Sequence, residues 1–198
     1  QIFDFSRISV KDIAAHLVNI AEKEQVSAEP EALHLIATKA DGALRDALSI
    51  FDQLVTFSNG NITYQTVLTN LHVLDYDYYF KIVDYLKKED IAGSILILND
   101  IIEKGFDGHQ FIIGLADHFR NLLMAQDVRT LPLLELTDQI KDRFKEQASA
   151  WENIQLTRAL YTLSKADVAY KSSKNQRLVV EVTLMELGSL QQEAEKKN

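Results

Sequence analysis

The sequence has 198 residues, of which 46% are hydrophobic and 25% charged, a balance typical of a folded protein rather than a disordered one. Its net charge of −8 is spread along the chain and leaves no evident basic face for nucleic acid. It has no cysteine, which excludes disulfides, thiolate metal ligands and cysteine nucleophiles from this chain. With no apolar run of about 18 residues and no signal pattern, we expect a cytoplasmic protein without membrane contact.

Helical start signals are clear in the first half of the sequence. Two prolines and seven glycines are few for this length, so we predict an all-α fold. Ser9 followed by Asp12 forms a capping box that predicts a first helix over about Val10 to Glu24. A start signal at Ser27–Pro30 predicts a second, short helix that Asp41-Gly42 interrupts.

A third and a fourth helix follow in the same half. The third is predicted to begin beside Gly42 and to end before Ser58, because apolar residues recur there at steps of three and four. Thr63 is the predicted cap of the fourth. Residues 1–71 are therefore predicted to form a small helical bundle, and a chain that opens on Gln1 in an apolar pattern is expected to be part of a longer protein.

Longer helices are predicted in the second half. Residues 72–190 form the predicted second domain, and the polar residues 191–198 are the predicted tail or the start of a linker. The predicted helices are Asp77–Lys88, Asp90–Lys104, Gly108–Asp127, Leu133–Ala148, Trp151–Tyr170 and Lys174–Leu190.

Motifs for catalysis are missing from the sequence. It contains no phosphate-binding loop, no Rossmann glycine pattern and no nucleophile elbow, and its histidines lack zinc-site spacing. We therefore predict no catalytic residue and no metal site. The acidic and aromatic cluster of residues 75–80 is either a ligand surface or, as aromatic residues more often are, an interdomain or core contact. The basic run of residues 141–145 is either a nucleic-acid contact or a solvated helix face.

One octet has a sharper interpretation. Residues 42–49 are Gly-Ala-Leu-Arg-Asp-Ala-Leu-Ser, which places Arg45 in the first turn of the third helix, where backbone amides are free and the dipole is positive. Such a site suits an anion. On pattern alone, the favoured interpretation of Arg45 is a surface residue that pairs with Asp41 or Asp46, because such ion pairs are common.

The octet resembles the sensor 2 segment of bacterial clamp-loader ATPases of the AAA+ class. Further segments resemble the DNA polymerase III gamma/tau family: Phe3-Asp4-Phe5, residues 29–33, Asp52-Gln53, residues 105–107 and residues 118–123. The resemblance implies that residues 1–71 are an AAA+ lid and residues 72–190 a collar domain for oligomerisation. It also implies that Arg45, with Gly42 and Leu44 beside it, contacts the γ-phosphate of ATP.

The resemblance also implies what lies around this chain. The parent protein would be a subunit of the DNA polymerase III holoenzyme with clamp-loader ATPase activity, and it would bind ATP with Mg²⁺ through a core expected before Gln1. The family's arginine finger belongs to that core, so Arg7 is not expected to be the finger. This chain alone would be no enzyme and would hold no nucleotide tightly. The implied partners are delta, delta prime and further gamma/tau copies through the collar, and the sliding clamp and primed DNA through the complete assembly.

Two other hypotheses compete with this one. The first is a stand-alone helical module that binds another protein and has no nucleotide role. The second is the related clamp-loader-like ATPase family involved in recombination intermediates, which shares the lid and oligomerisation architecture. Against the second stands the run of Phe119 to Leu123, Phe-Arg-Asn-Leu-Leu.

Overall fold

The computed structural model describes the backbone of residues 7–195 and the side chains of residues 7–190. Its residues divide into two compact units. The first contains the described residues up to Val73 together with Glu135–Thr137, and the second contains Leu74–Leu134 and the described residues from Asp138 onward. The resemblance at Phe3-Asp4-Phe5 falls outside the described residues.

The first unit is a bundle of short helices. Its helices are α1 (Val10–Lys23), α2 (Pro30–Lys39), α3 (Leu44–Ser58) and α4 (Tyr64–Leu71), with two-residue strands β1 (Ser27–Ala28) and β2 (Asn61–Ile62). The two strands pair in parallel, with Ser27 opposite Asn61. Fully buried side chains from every helix, including Ile13, Ile36, Leu54 and Val67, form one apolar core. This burial of amphipathic faces stabilises helices too short to persist alone.

The predicted helix starts of this unit are confirmed at their caps. Ser9 Oγ accepts a hydrogen bond from the Asp12 amide at 3.1 Å, and Thr63 Oγ1 accepts one from the Thr66 amide at 3.1 Å. Glu29 serves a different helix from the one it precedes, because its carboxylate accepts a hydrogen bond from the Tyr64 amide at 2.6 Å. Caps of this kind satisfy amides that have no intrahelical partner.

The second unit consists of longer helices. They are α5 (Tyr76–Lys87), α6 (Ile91–Glu103), α7 (Gly108–Ala125), α8 (Asp138–Ala148), α9 (Asn153–Ser172) and α10 (Gln176–Glu195), with a 3-10 turn at Leu131–Leu133. Helix α7 packs against both α8 and α9, and α10 packs along α9. The predicted all-α fold class is confirmed.

Two predicted helix ends in this unit are wrong. Helix α8 begins at Asp138 and not at Leu133, because Leu131–Leu133 form the 3-10 turn and the extended Leu134 is buried after it. Helix α10 continues to Glu195, past the predicted end at Leu190. The apolar pattern stops near Leu190, but the Gln, Glu and Ala residues that follow are good helix formers, so the helix persists into the predicted polar tail.

Two aromatic side chains of the cluster of residues 75–80 belong to the core of this unit. Tyr79 and Phe80 are buried, and their rings pack against Phe111, His118 and Phe144. The core interpretation is therefore correct for these two rings.

The acidic residues beside that cluster also have local partners. The Asp75 carboxylate caps α5 through the Asp77 amide at 3.0 Å, and the Asp77 carboxylate accepts a hydrogen bond from Arg143 at 2.7 Å. In the basic run, Lys145 pairs with Asp142 at 2.7 Å. These ion pairs are the arrangement expected of a solvated helix face.

Candidate functional site

The octet begins in the tight turn between α2 and α3. Asp41 and Gly42 both have left-handed backbone conformations, with φ of 46° and 83°. The Ala43 amide donates to the Ala40 carbonyl oxygen at 2.9 Å and closes the turn. A residue with a Cβ is strained in this region, and glycine is not, so the second position of the turn favours Gly42.

Gly42 is also a point of close approach. A Cβ added to it would lie 2.7 Å from Arg7 Cβ. The Ile8 amide donates to the Gly42 carbonyl oxygen at 3.2 Å, so the segment that precedes α1 lies on the turn. The Arg7 guanidinium reaches Asp41, with Nη1 at 2.5 Å from Oδ2.

Arg45 stands exposed in the first turn of α3. Among the described residues its guanidinium has no hydrogen bond or ion pair, and Asp41, one of its two possible partners, pairs with Arg7 instead. The other, Asp46, is in the same turn and is exposed and unpaired in the described part of the chain. The ion-pair alternative for Arg45 therefore has no support in the structure.

The backbone at this helix start adds two more donors. The N-cap residue is Ala43, whose side chain cannot accept a hydrogen bond, and the first amides to find a carbonyl partner are those of Asp46 and Ala47. The amides of Leu44 and Arg45 have no partner within the described residues. A free guanidinium beside two free amides and the positive end of a helix can bind an anionic oxygen.

The remaining residues of the octet hold the site against the core. Ala47 is fully buried, and the half-buried side chain of Leu44 packs against the same apolar cluster. The Leu44 side chain therefore belongs to the packing, and only its amide is available to a ligand. Sequence reasoning missed Arg7 as a neighbour of the octet, because 34 residues separate it from Asp41 and no local pattern joins them.

The family-like segments of the second unit have structural roles. Gly105, with φ of 85°, follows the end of α6, and the Asp107 carboxylate accepts a hydrogen bond from the Gln110 amide at the start of α7. Asp107 also accepts a hydrogen bond from the Tyr170 hydroxyl at 3.1 Å. This motif thus joins α7 to α9.

The run of residues 118–123 lies mostly in the core. His118, Phe119 and Leu122 are buried. His118 Nε2 lies 2.7 Å from Gln147 Oε1, and because that oxygen can only accept, Nε2 carries the proton. Burial lowers the pKa of His118 to about 4, although the hydrogen bond with Gln147 acts in the opposite direction. The ring is therefore neutral at pH 7.

Two features are not found in the described part of the chain, a cluster of metal ligands and a membrane-spanning helix. No group of three or more histidine, aspartate or glutamate side chains is placed to hold a metal ion. Within the same residues, no helix is both long and apolar enough to cross a membrane.

Comparison with known proteins matches the chain to domains of a DNA polymerase III clamp-loader subunit. Residues 12–60 match the family described as DNA polymerase III clamp loader subunit, ATPase lid domain. Residues 62–198, well over half of the chain, match DNA polymerase III subunits gamma and tau domain III. The chain belongs to the DNA polymerase III gamma and tau family, and the resemblance predicted from the sequence is confirmed.

Individual relatives agree with this assignment. The chain is 27% identical over 190 residues to DNA polymerase III subunit tau of Bacillus subtilis, covering 94% of the chain and 33% of the relative. It is 26% identical over 185 residues to subunit tau of Escherichia coli strain K12, covering 92% of the chain and 28% of the relative. The chain thus spans about a third or less of these two relatives.

A solved structure shares the fold. The Bacillus subtilis DNA clamp loader delta protein superposes with a TM-score of 0.56 over 92% of this chain and 57% of that one, at 18% identity. At this identity the likeness shows the fold alone.

Proposed function

We propose that this chain is the lid and collar of a clamp-loader subunit, in which Arg45 detects the γ-phosphate of ATP. The observation that carries the proposal is the exposed guanidinium of Arg45, which has no partner in the described part of the chain. An arginine in the first turn of a helix is unfavourable beside the positive dipole end unless an anion compensates it. The gamma and tau family match supports a nucleotide phosphate as that anion.

In this proposal Arg45 donates a charge-assisted hydrogen bond to the γ-phosphate, with the Leu44 amide as a second donor. ATP and Mg²⁺ would be bound by a nucleotide-binding core outside this chain, and the γ-phosphate supplies the charge that ADP lacks. A charge-assisted hydrogen bond contributes about 1.5–3 kcal/mol, so lid closure would favour ATP over ADP roughly ten- to a hundredfold. Only such a difference between two nucleotides can shift the lid between open and closed states.

The second unit is proposed to join the subunit to its neighbours. Helix α10 carries an exposed apolar stripe at helical spacing, formed by Leu178, Val182 and Met185, which are 49%, 41% and 46% exposed. On α9, Ile154, Tyr161 and Val168 are also exposed. Exposed apolar stripes of this kind mark protein contacts. The proposed partners are other clamp-loader subunits, and the assembly would load a sliding clamp at primed DNA.

The nucleotide proposal is tested with Arg45→Ala in the complete subunit assembled with its partners. We expect ATP affinity and ATP-dependent clamp loading to fall about tenfold or more while ADP affinity is unchanged. Lys11→Ala, which removes an exposed cation from the same unit, is the matched control and should change neither. Equal ATP and ADP affinities for Arg45→Ala and the unmodified subunit would contradict the assignment.

The collar proposal is tested with Val182→Asp, which places a charge in the α10 stripe. We expect this variant to lose assembly with the other subunits in light scattering after gel filtration, while its helical content is unchanged. Val18→Asp is the matched control, because Val18 is a valine of similar exposure, 38% against 41%, in the first unit. If both variants assemble alike, the stripe is not the subunit contact.

The stand-alone module is the less favoured hypothesis. Two clamp-loader family models match adjoining ranges of the chain, 12–60 and 62–198, as expected of one subunit rather than of an unrelated adaptor.

A further inference from the structure

We propose that Gly42 is a positioning residue, which holds Arg45 in place through its contact with Arg7 and acts through Arg45 rather than on the nucleotide. This inference rests on the proposed role of Arg45. It concerns the segment at Arg7 and Ile8, which lies directly on the turn that leads into α3.

The first support is the packing between Gly42 and Arg7. A Cβ on Gly42 would meet Arg7 Cβ at 2.7 Å, Cγ at 3.2 Å and Cδ at 3.3 Å. Arg7 Cβ is fixed to the backbone, so a rotamer change cannot relieve the closest of these contacts. An alanine at position 42 must therefore push the segment away from the turn.

The second support is the comparison with Gly60. Gly60 has nearly the same left-handed backbone, with φ of 79° against 83° for Gly42, but a Cβ added to Gly60 would meet nothing within 4 Å. The backbone cost of alanine is thus similar at the two glycines. Any additional effect at Gly42 comes from the contact with Arg7.

The third support is the start of α3 itself, which is fixed by the packing of Leu44 on the core and by the turn before the helix. Ala43 provides no side-chain cap, so the first turn of the helix is oriented by the backbone of the turn before it. That backbone is held from outside by the Ile8 amide, which donates to the Gly42 carbonyl oxygen at 3.2 Å, and by the Arg7 pair with Asp41 at 2.5 Å. The ion pair is exposed and contributes little alone, so the close packing at Gly42 is the main link.

The same contacts cover one side of Gly42 and occupy its carbonyl oxygen. Arg7 covers the side of Gly42 from which a Cβ would project, and the carbonyl oxygen already accepts a hydrogen bond from Ile8. A carbonyl oxygen is an acceptor and cannot bind a phosphate oxygen. Arg45, three residues further on, carries the positive charge.

The contact itself is tested by thermal unfolding of this chain in a double-mutant cycle. We expect Gly42→Ala to lower the Tm of the first unit by about 3 °C more than Gly60→Ala does. Arg7→Gly removes the opposing Cβ. Combined with Gly42→Ala, it should recover the excess loss of Tm, whereas combined with Gly60→Ala the two losses of Tm should simply add. Equal Tm losses for the two glycine variants would overturn the contact.

The positioning role is tested by nucleotide affinity in the complete assembled subunit. We expect Gly42→Ala to lower the preference for ATP over ADP about tenfold without changing ADP affinity, and Gly60→Ala to leave this preference intact. The combination of Gly42→Ala with Arg7→Gly should recover most of the loss. An ADP affinity that stays unchanged throughout separates this effect from a general loss of lid stability, which would weaken the binding of both nucleotides. Failure of this recovery, or an equal effect of Gly60→Ala, would refute the role of Gly42.

Arg45→Ala in the same assay separates this inference from the proposed function. If Arg45→Ala leaves the preference for ATP unchanged, the proposed function itself is wrong, and the inference falls with it. If Arg45→Ala abolishes the preference but Gly42→Ala matches Gly60→Ala, Arg45 keeps its role and only the positioning by Gly42 is rejected.

Discussion

Acidification should destabilise the second unit through the buried imidazole of His118. The ring is 2% exposed and packs against Phe80 and Phe144, with ring centroids at 4.6 and 4.7 Å. Its Nε2 is hydrogen-bonded to Gln147, but its buried Nδ1 has no partner among the described residues. A proton added to Nδ1 would therefore create a buried charge with no acceptor, which is unfavourable.

The size of the effect follows from proton linkage. Burial lowers the pKa of His118 from an ordinary value of 6.5 to about 4. Between these values the unfolded chain binds a proton that the folded unit does not, so stability is full above pH 6.5 and falls as the pH falls toward 4. At 1.36 kcal/mol per pKa unit, the loss is about 2 kcal/mol at pH 5 and about 3 kcal/mol in total.

Trp151 provides the assay, because it is the only tryptophan of the chain and is buried in the same unit against Phe119. Urea unfolding followed by its fluorescence from pH 6.5 to 5 gives the free energy of unfolding of this unit. His118→Gln keeps a donor for Gln147 and does not titrate. Between pH 6.5 and 5, the free energy of unfolding of this variant should therefore change by about 2 kcal/mol less than that of the unmodified chain. His16→Gln, at an exposed histidine, is the matched control.

The pH window keeps the aspartates with a lowered pKa out of the measurement. Aspartates with a lowered pKa, such as Asp127 with a pKa of about 2, lose their contribution only below the ordinary value of 3.8. Parallel pH profiles for His118→Gln and the unmodified chain between pH 6.5 and 5 would show that His118 is not buried in its neutral form. We expect the His16→Gln variant to show the same dependence of the free energy of unfolding on pH as the unmodified chain.

Three further predictions concern packing and capping in the second unit. Gly114→Ala should cost about 1–3 kcal/mol in urea unfolding, because a Cβ there would collide with the Tyr79 hydroxyl, and Tyr79→Phe should recover part of the loss. Asp107→Ala should lower the free energy of unfolding by about 1 kcal/mol, because the cap of α7 is lost. Tyr170→Phe should lower it little further in the Asp107→Ala variant, because the hydrogen bond between the two residues is already gone, and a double-mutant cycle measures this coupling. Gln147→Leu should cost about 1–3 kcal/mol in the same assay, because it leaves the buried imidazole N–H without an acceptor; a neutral change would contradict the hydrogen bond.

Local signals in the sequence were sufficient for the helix starts. Ser9 and Thr63 cap their helices through amides three residues later, so every atom that decides these starts lies within one turn. The octet was likewise placed correctly at the start of α3 by Gly42 and the apolar spacing that follows it. The gamma and tau family was recognised from such short segments, and the all-α fold from the few prolines and glycines of the whole chain.

The sequence pattern did not predict contacts between residues that are distant in the chain. The pairing of β1 with β2 joins residues 34 positions apart, and two-residue strands have too little alternation to be detected. The late start of α8 depends on the burial of Leu134 after the 3-10 turn, a tertiary effect that periodicity does not carry.

The candidate site divides in the same way. The position of Arg45 in the first turn of a helix after a glycine follows from local sequence, because helix geometry is set by neighbouring residues. Three features of the site are visible only in the folded structure. Asp41 pairs with Arg7, the Arg45 guanidinium is left without a partner in the described residues, and Gly42 lies against Arg7. An ion pair and a close contact depend on where the folded chain brings two segments together, so local spacing in the sequence does not predict them.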